Sequence, residues 1–271
     1  MENKKDISLV YMVAGVSSRF GGRIKAFAQV GPNGETLIEY SLGQALPIGF
    51  TKIVFIVSPL TAEPFKALFG DNYKGVPVQY ALQSFDPDKR DRPWGTAQAI
   101  STLKSHVSDS FVVCNGDDIY GDEAFRILYN HLENKVGATT VGYKLIDNLS
   151  VKGTSNRGII KCAENGKVLS IEEVLEIDPQ NLEVKGLKPD DLASMNFFGF
   201  ENSIIDVLAK RFEDFKLQNS NDRKVEIFLP TEVSDMIQKG ELEMIAYPAN
   251  GKTIGLTYPE DEVLVKKLLS N

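Results

Sequence analysis

Four near-continuous apolar runs, spaced by segments with helical periodicity, constrain this chain more than anything else in it. The runs are Leu9-Val10-Tyr11-Met12-Val13, 52–58 (KIVFIVS), 76–83 (VPVQYALQ) and 110–115 (SFVVCN). A strand wetted on one face alternates apolar and polar residues, so runs without alternation belong to a sheet covered on both faces. Between them, 36–45, 62–68 and 96–104 read as helices; in the first, Leu37, Ile38, Ser41, Leu42 and Ala45 fall on one side. Strand–helix–strand alternation predicts an open, mostly parallel sheet with helices on both faces, and ligands on such sheets lie beyond the C-terminal strand ends.

The alternation continues through a strand at 138–144 and then breaks down. Residues 156–161 and 167–171 read as an antiparallel pair joined by Glu164-Asn165-Gly166, since Asn-Gly is a strong hairpin signal. A strand at 192–201 and a helix at 203–216 follow. A polar stretch at 216–224 has the composition of a mobile loop. A helix at 231–238 capped by Thr231, a strand at 241–247 and a helix at 261–269 complete the chain. The expected fold is therefore α/β: a Rossmann-like, mostly parallel mixed sheet flanked by helices, with a smaller antiparallel lobe. One domain over 1–271 is expected, divided into a core at 1–145, a β part at 146–202 and a helix–strand part at 203–271.

Net charge of −7 argues against nucleic acid as a bulk partner, without forbidding a local basic pocket. Cys114 and Cys162 cannot build a disulfide framework, and free thiols are expected. No signal peptide or membrane-spanning run is visible, which predicts a cytoplasmic protein with no membrane partner. Homo-oligomerisation stays open.

Chemistry concentrates at the ends of the first, third and fourth runs. After the first comes Ala14-Gly15-Val16-Ser17-Ser18-Arg19, then Gly21-Gly22 and Lys25. A glycine-rich turn lets backbone N–H groups approach an anion; Arg grips phosphate with two donors, and Lys supplies a movable point charge. The spacing is neither a Walker loop nor a dinucleotide fingerprint, and a solvated structural loop is the competing reading. Gln83 ends the third run. Gly95-Thr96 reads either as a tight helix entry with Thr96 as cap or as a close backbone approach to a ligand. The fourth run leads into Asn115-Gly116-Asp117-Asp118. Two carboxylates at a strand end suit Mg²⁺, or else cap the helix that begins near Asp122. Asn196, set among apolar neighbours, is either a hydrogen-bonded buried amide or a ligand contact.

Taken in order, Ala14-Gly15-x-Ser17-Ser18-Arg19-x-Gly21-x-x-x-Lys25, Gly95-Thr96-Ala97 and Gly116-Asp117-Asp118 resemble the motifs of the sugar-1-phosphate nucleotidyltransferases (NDP-sugar pyrophosphorylases). The resemblance implies attack by the phosphate of a sugar 1-phosphate on the α-phosphorus of an NTP, UTP or dTTP favoured. It implies Arg19, Lys25 and Asp117 in catalysis, and Ala14, Gly15, Ser17, Ser18, Gln83, Gly95 and Thr96 at the nucleotide. Asn115, Glu173 and Asn196 would meet the sugar, and Asp117 with Asp118 would hold Mg²⁺. Two positions depart from the pattern. A second metal-binding Asp is missing from Thr253-Ile254-Gly255-Leu256-Thr257, and the sugar-site Glu173 is followed by Val174 rather than Lys. The acyltransferase domain carried by some relatives is expected to be absent. Three competing readings remain: a nucleotide-binding regulator that has lost catalysis, a glycosyltransferase, and a nucleotidyltransferase acting with CTP on a phosphorylated alcohol.

Overall fold

The computed structural model describes residues 5–15, 20–150, 153–256 and 259–270. The first half runs β1 (Ile7–Met12), α1 (Leu37–Ala45), β2 (Lys52–Val57), α2 (Ala62–Phe69), β3 (Asn72–Tyr73), β4 (Val76–Leu82), α3 (Thr96–Ser101), β5 (Ser110–Asn115), β6 (Asp118–Ile119), α4 (Asp122–Asn134) and β7 (Ala138–Lys144). The second half runs β8 (Ser155–Cys162), β9 (Val168–Ile177), β10 (Leu192–Glu201), α5 (Ser203–Gln218), α6 (Leu229–Gln238), β11 (Met244–Pro248), β12 (Ile254–Gly255) and α7 (Asp261–Leu269).

The main sheet has the order β11-β7-β10-β5-β1-β2-β4-β3, with β8 and β9 branching from β10. The β1, β2, β4 and β5 contacts are parallel, while β10 lies antiparallel between β5 and β7. A second sheet pairs β6 with β12. The α/β expectation holds, with the small antiparallel lobe supplied by β8, β9 and one end of β10. No helix among the described residues is long and apolar enough to cross a membrane.

The unbroken apolar runs have a direct physical cause. Val10, Val54, Ile56, Phe111 and Val113 share one core with α3, α5 and α6 residues such as Ile100, Leu208 and Val233. Their chain neighbours Leu9, Tyr11, Ile53, Phe55, Val112 and Cys114 share another with Ile38, Phe65 and Phe125 of α1, α2 and α4. Both faces are dry, and each fully buried large side chain contributes about 1.5–3 kcal/mol.

Helix starts follow local chemistry. α1 carries a capping box between Thr36 and Glu39. Two expected caps are corrected. The cap of α3 is Gly95, one residue before Thr96, because the Thr96 hydroxyl is occupied by the Leu229 N–H at 2.8 Å. α6 starts at Leu229, with Pro230 in its first turn, where a missing N–H costs nothing, so Thr231 is already inside the helix. The polar stretch expected to be mobile is tied down at its C-terminal end. Arg223 donates to Asp91 and to the Asp88 and Pro87 carbonyls, and Arg90 donates to the Asp222 and Val225 carbonyls.

Candidate active site

The adjacent ends of β1 and β5 form the floor of the site. Met12 pairs with Asn115, and the Gly116 N–H donates to the Met12 carbonyl at 3.1 Å. A Cβ on Gly116 would fall 2.2 Å from Val13 Cγ1, so only glycine lets the two strand ends lie this close. Above them opens a cavity of about 300 Å³ lined by Met12, Val13, Gly15, Ile24, Lys25, Ala26, Gly116 and Asp117. Gly15 lines it, with nothing within 4 Å of a Cβ there, and Ala14 is the residue between Gly15 and the lining Val13. Ser17, Ser18 and Arg19, expected at the nucleotide and its phosphates, lie outside the described residues.

Lys25 enters at the first residue of a short 3-10 turn, Lys25–Phe27. Its Nζ donates to Asp117 Oδ2 at 3.2 Å and to the Leu256 carbonyl at 3.1 Å, and stands 5.5 Å from the centre of the Phe20 ring. Two expected residues, one after β1 and one after β5, therefore meet across 92 positions of sequence.

Asp118 opens β6 and is pressed against β12. A Cβ on Gly255 would lie 2.2 Å from Asp118 Oδ1, so the glycine makes room for the carboxylate. Asp118 Oδ2 accepts from Asn115 Nδ2 at 2.9 Å, which is where the Asn115 amide, expected at the sugar, is spent. The Tyr120 hydroxyl, nearby at 3.5 Å, donates to the Met195 carbonyl at 2.9 Å. Burial, and then the neighbouring Asp117 charge, raise the Asp118 carboxyl to about 7. The Asn115 hydrogen bond and the positive charges of Arg157 and Lys25 pull it back only in part. Among the described residues no group of three or more His, Cys, Asp or Glu side chains converges as a metal cage. Mg²⁺, which takes one or two carboxylates and fills its shell with water and phosphate oxygens, needs no such cage. Thr253, where the resemblance leaves an Asp missing, gives its N–H and hydroxyl to Asn148 Oδ1 at 3.0 and 2.8 Å.

At the end of β4, Gln83 Nε2 donates to the Gly95 carbonyl at 3.0 Å and to Gln98 Oε1 at 2.7 Å. Its Oε1 accepts no hydrogen bond from the described residues. Gly95 has φ +108, and a Cβ there would sit 2.5 Å from the Ile227 carbonyl oxygen. Gly95 and Thr96 thus hold the 227–229 backbone in place.

On the lobe, Gly158 pairs with Glu173 and Arg157 with Val174. Glu173 is exposed; partial burial still raises its carboxyl, and Arg157 pulls the other way. Asn196 has φ +55 within the irregularity of β10 between Ser194 and Phe198, a conformation asparagine tolerates better than most residues. Sequence reasoning missed Arg157, Asn148, Tyr120 and the Leu256 carbonyl. Only the strand register could have found Arg157, which stands directly across the ladder from Val174.

Comparison with known families matches residues 24–243 to the family described as Nucleotidyl transferase. The UTP--glucose-1-phosphate uridylyltransferase AglF of Haloferax volcanii is 23% identical over 229 residues, 84% of this chain and 82% of that protein. The bifunctional protein GlmU of Methanococcus maripaludis is 23% identical over 206 residues, 76% of this chain and 41% of that protein. The glucose-1-phosphate thymidylyltransferase of Mycolicibacterium smegmatis is 25% identical over 173 residues, 63% of this chain and 52% of that protein. Against these last two, the match spans only about half of the relative or less. Among solved structures, the inositol-1-phosphate CTP transferase from T. maritima superposes with a TM-score of 0.69 at 16% identity, over 100% of this chain and 97% of that one. HddC from Yersinia pseudotuberculosis superposes with a TM-score of 0.62 at 15% identity, over 96% and 98%. At such identities the likeness is one of fold.

Proposed function

The chain belongs to the nucleotidyl transferase family, and from that premise we propose that it joins UTP or dTTP to a sugar 1-phosphate. A phosphate oxygen of the acceptor attacks the α-phosphorus, the bond from that phosphorus to the bridging oxygen breaks, and pyrophosphate leaves with the electron pair. The observation that carries this reading is the Lys25–Asp117 pair standing over a glycine-lined cavity at the ends of β1 and β5. UTP and dTTP are favoured because two of the relatives bear those activities in their names. The acceptor oxygen left on Gln83 suits the N3–H of uracil or thymine.

In-line displacement at phosphorus asks the protein for positioning and charge neutralisation more than for covalent help. Lys25 is held by Asp117 and the Leu256 carbonyl, so its ammonium is already oriented toward the cavity when the triphosphate arrives. Arg19 would take the β- and γ-phosphates. Asp117, with Asp118 beside it, would hold Mg²⁺; the donors are hard oxygens of the kind this ion takes one or two of from protein. Bound there, the ion would neutralise developing phosphate charge. Glu173 and Asn196 would face the sugar hydroxyls. We place the protein in the cytoplasm.

The test is pyrophosphate release with Mg²⁺ across four NTPs and a panel of sugar 1-phosphates and phosphoalcohols, with Lys25→Ala alongside. Release confined to UTP or dTTP with a sugar 1-phosphate, and lost in Lys25→Ala, is the expected result. Release only with CTP and a phosphoalcohol would transfer the activity to a non-sugar acceptor. NTP binding without release under any pairing would make the chain a nucleotide-binding protein and overturn the proposal.

A further inference from the structure

We propose that Arg157 binds the phosphate of the acceptor substrate, an inference that rests on the function proposed above. Arg157 lies on β8 directly opposite Val174 of β9, so the two side chains share one face of the lobe. On that face the guanidinium reaches Asn148. Its Nε and Nη2 donate to the Asn148 carbonyl at 3.1 and 2.7 Å, and its Nη1 donates to the Asn156 carbonyl at 2.9 Å. Asn148 is buried, and its side chain anchors Thr253, two residues from the glycine that lies against Asp118. The lobe's arginine is thereby fixed to the segment that packs against the carboxylate pair.

Three observations make this a ligand site rather than a structural tie. First, Arg157 is only partly exposed, and among the described residues no carboxylate lies within ion-pair distance of it. Burying a cation without a counter-charge is costly, and carbonyl dipoles compensate only in part. Burial accordingly pulls its pKa down, while the charges of Asp118 and then Glu173 pull it back. Second, its hydrogen bonds to Asn148 and Asn156 occupy one N–H on each of the three guanidinium nitrogens. One N–H on each terminal nitrogen is left over, and a terminal pair of this kind grips two oxygens of one phosphate. Third, the other described cation of the site, Lys25, is already paired with Asp117. An acceptor phosphate between the lobe and the strand ends needs a cation of its own, and Arg157 has the position and the unspent donors to be that cation.

Steady-state kinetics on Arg157→Met and Arg157→Lys test this with the acceptor found by the substrate matrix. Removing a charged hydrogen-bond pair predicts an acceptor KM raised about 10- to 100-fold in Arg157→Met. The NTP KM should stay within about twofold. Arg157→Lys should fall between, because it keeps the charge and loses the fork. A purely structural arginine would instead move both KM values and the melting temperature together, and that result overturns the inference, as does an unchanged acceptor KM. A second readout needs no turnover: calorimetric binding of inorganic phosphate to protein saturated with α,β-methylene UTP. Loss of phosphate binding in Arg157→Met supports the assignment even if the matrix is silent, and equal binding by wild type and variant defeats it even if the matrix is active.

Discussion

The ends of β5 and β4, on either side of the β1–β2 pair, are built from the same vocabulary of glycines and small polar residues after an apolar strand, yet they work in opposite ways. At β5, glycines make room for charge: Gly116 draws the strand ends together under the cavity, and Gly255 admits the Asp118 carboxylate. At β4, the glycine makes room for other backbone. Gly95 is pressed to Ile227, Thr96 is bonded to Leu229, and Arg90, donating to the Asp222 and Val225 carbonyls, stacks 3.4 Å over Trp94. One end gathers its charges around the cavity; the other spends most of its polar groups on holding the fold and leaves the Gln83 oxygen over. The lesson is that a motif's residue types do not reveal whether a ligand or the chain itself consumes them.

Breaking each end separately should separate activity from stability. Asp117→Asn at the charged end should lower kcat/KM by about 10²–10³-fold, with a melting temperature within about 2 °C of wild type, since a half-exposed ion pair contributes little to stability. Gly95→Ala at the other end should do the reverse. It forces a Cβ to 2.5 Å from the Ile227 oxygen at φ +108, and strain of this kind costs about 1–3 kcal/mol before the clash is counted. Thermal unfolding should show a Tm lower by roughly 5–10 °C, with activity per folded molecule retained at low temperature. If Asp117→Asn unfolds the protein, or Gly95→Ala silences a protein of unchanged Tm, the contrast is wrong.

The smallest effect sharpens the charged end itself. Burial and Asp117 lift the Asp118 carboxyl from 3.8 to about 7, so the folded protein holds this proton to higher pH than the unfolded chain does. The stability this contributes is complete below the unfolded value and is lost as pH rises toward 7. With EDTA present, the Tm of wild type should therefore fall more steeply between pH 5 and 7 than that of Asp118→Asn. Parallel curves would mean that Asp118 is ionised throughout.

The sheet was legible because its cause is local: strands buried on both faces must be apolar throughout, and β7, β10 and α7 fall at the expected residues. The insertion of β10 between β5 and β7 was not legible, since it depends on pairing with strands far away in the chain. The same division runs through the site. Lys25 and Asp117 carry motif signatures and do meet. Arg157 and Asn148 carry none, because what places them is a cross-strand register and a backbone carbonyl. Thr96 misled at the level of the cap, since an unrelated N–H from Leu229 claimed its hydroxyl first.

The pairing of β12 with β6 also sets a timetable. Ile254 meets Ile119 and Gly255 meets Asp118, so the last wall around the carboxylates arrives some 135 residues after them. On the ribosome, β1 to β5 can associate long before Gly255 and Leu256 emerge, and a contact of such sequence separation forms late. A nascent chain therefore leaves the two aspartates open on this side until the distal segment has emerged and paired with β6.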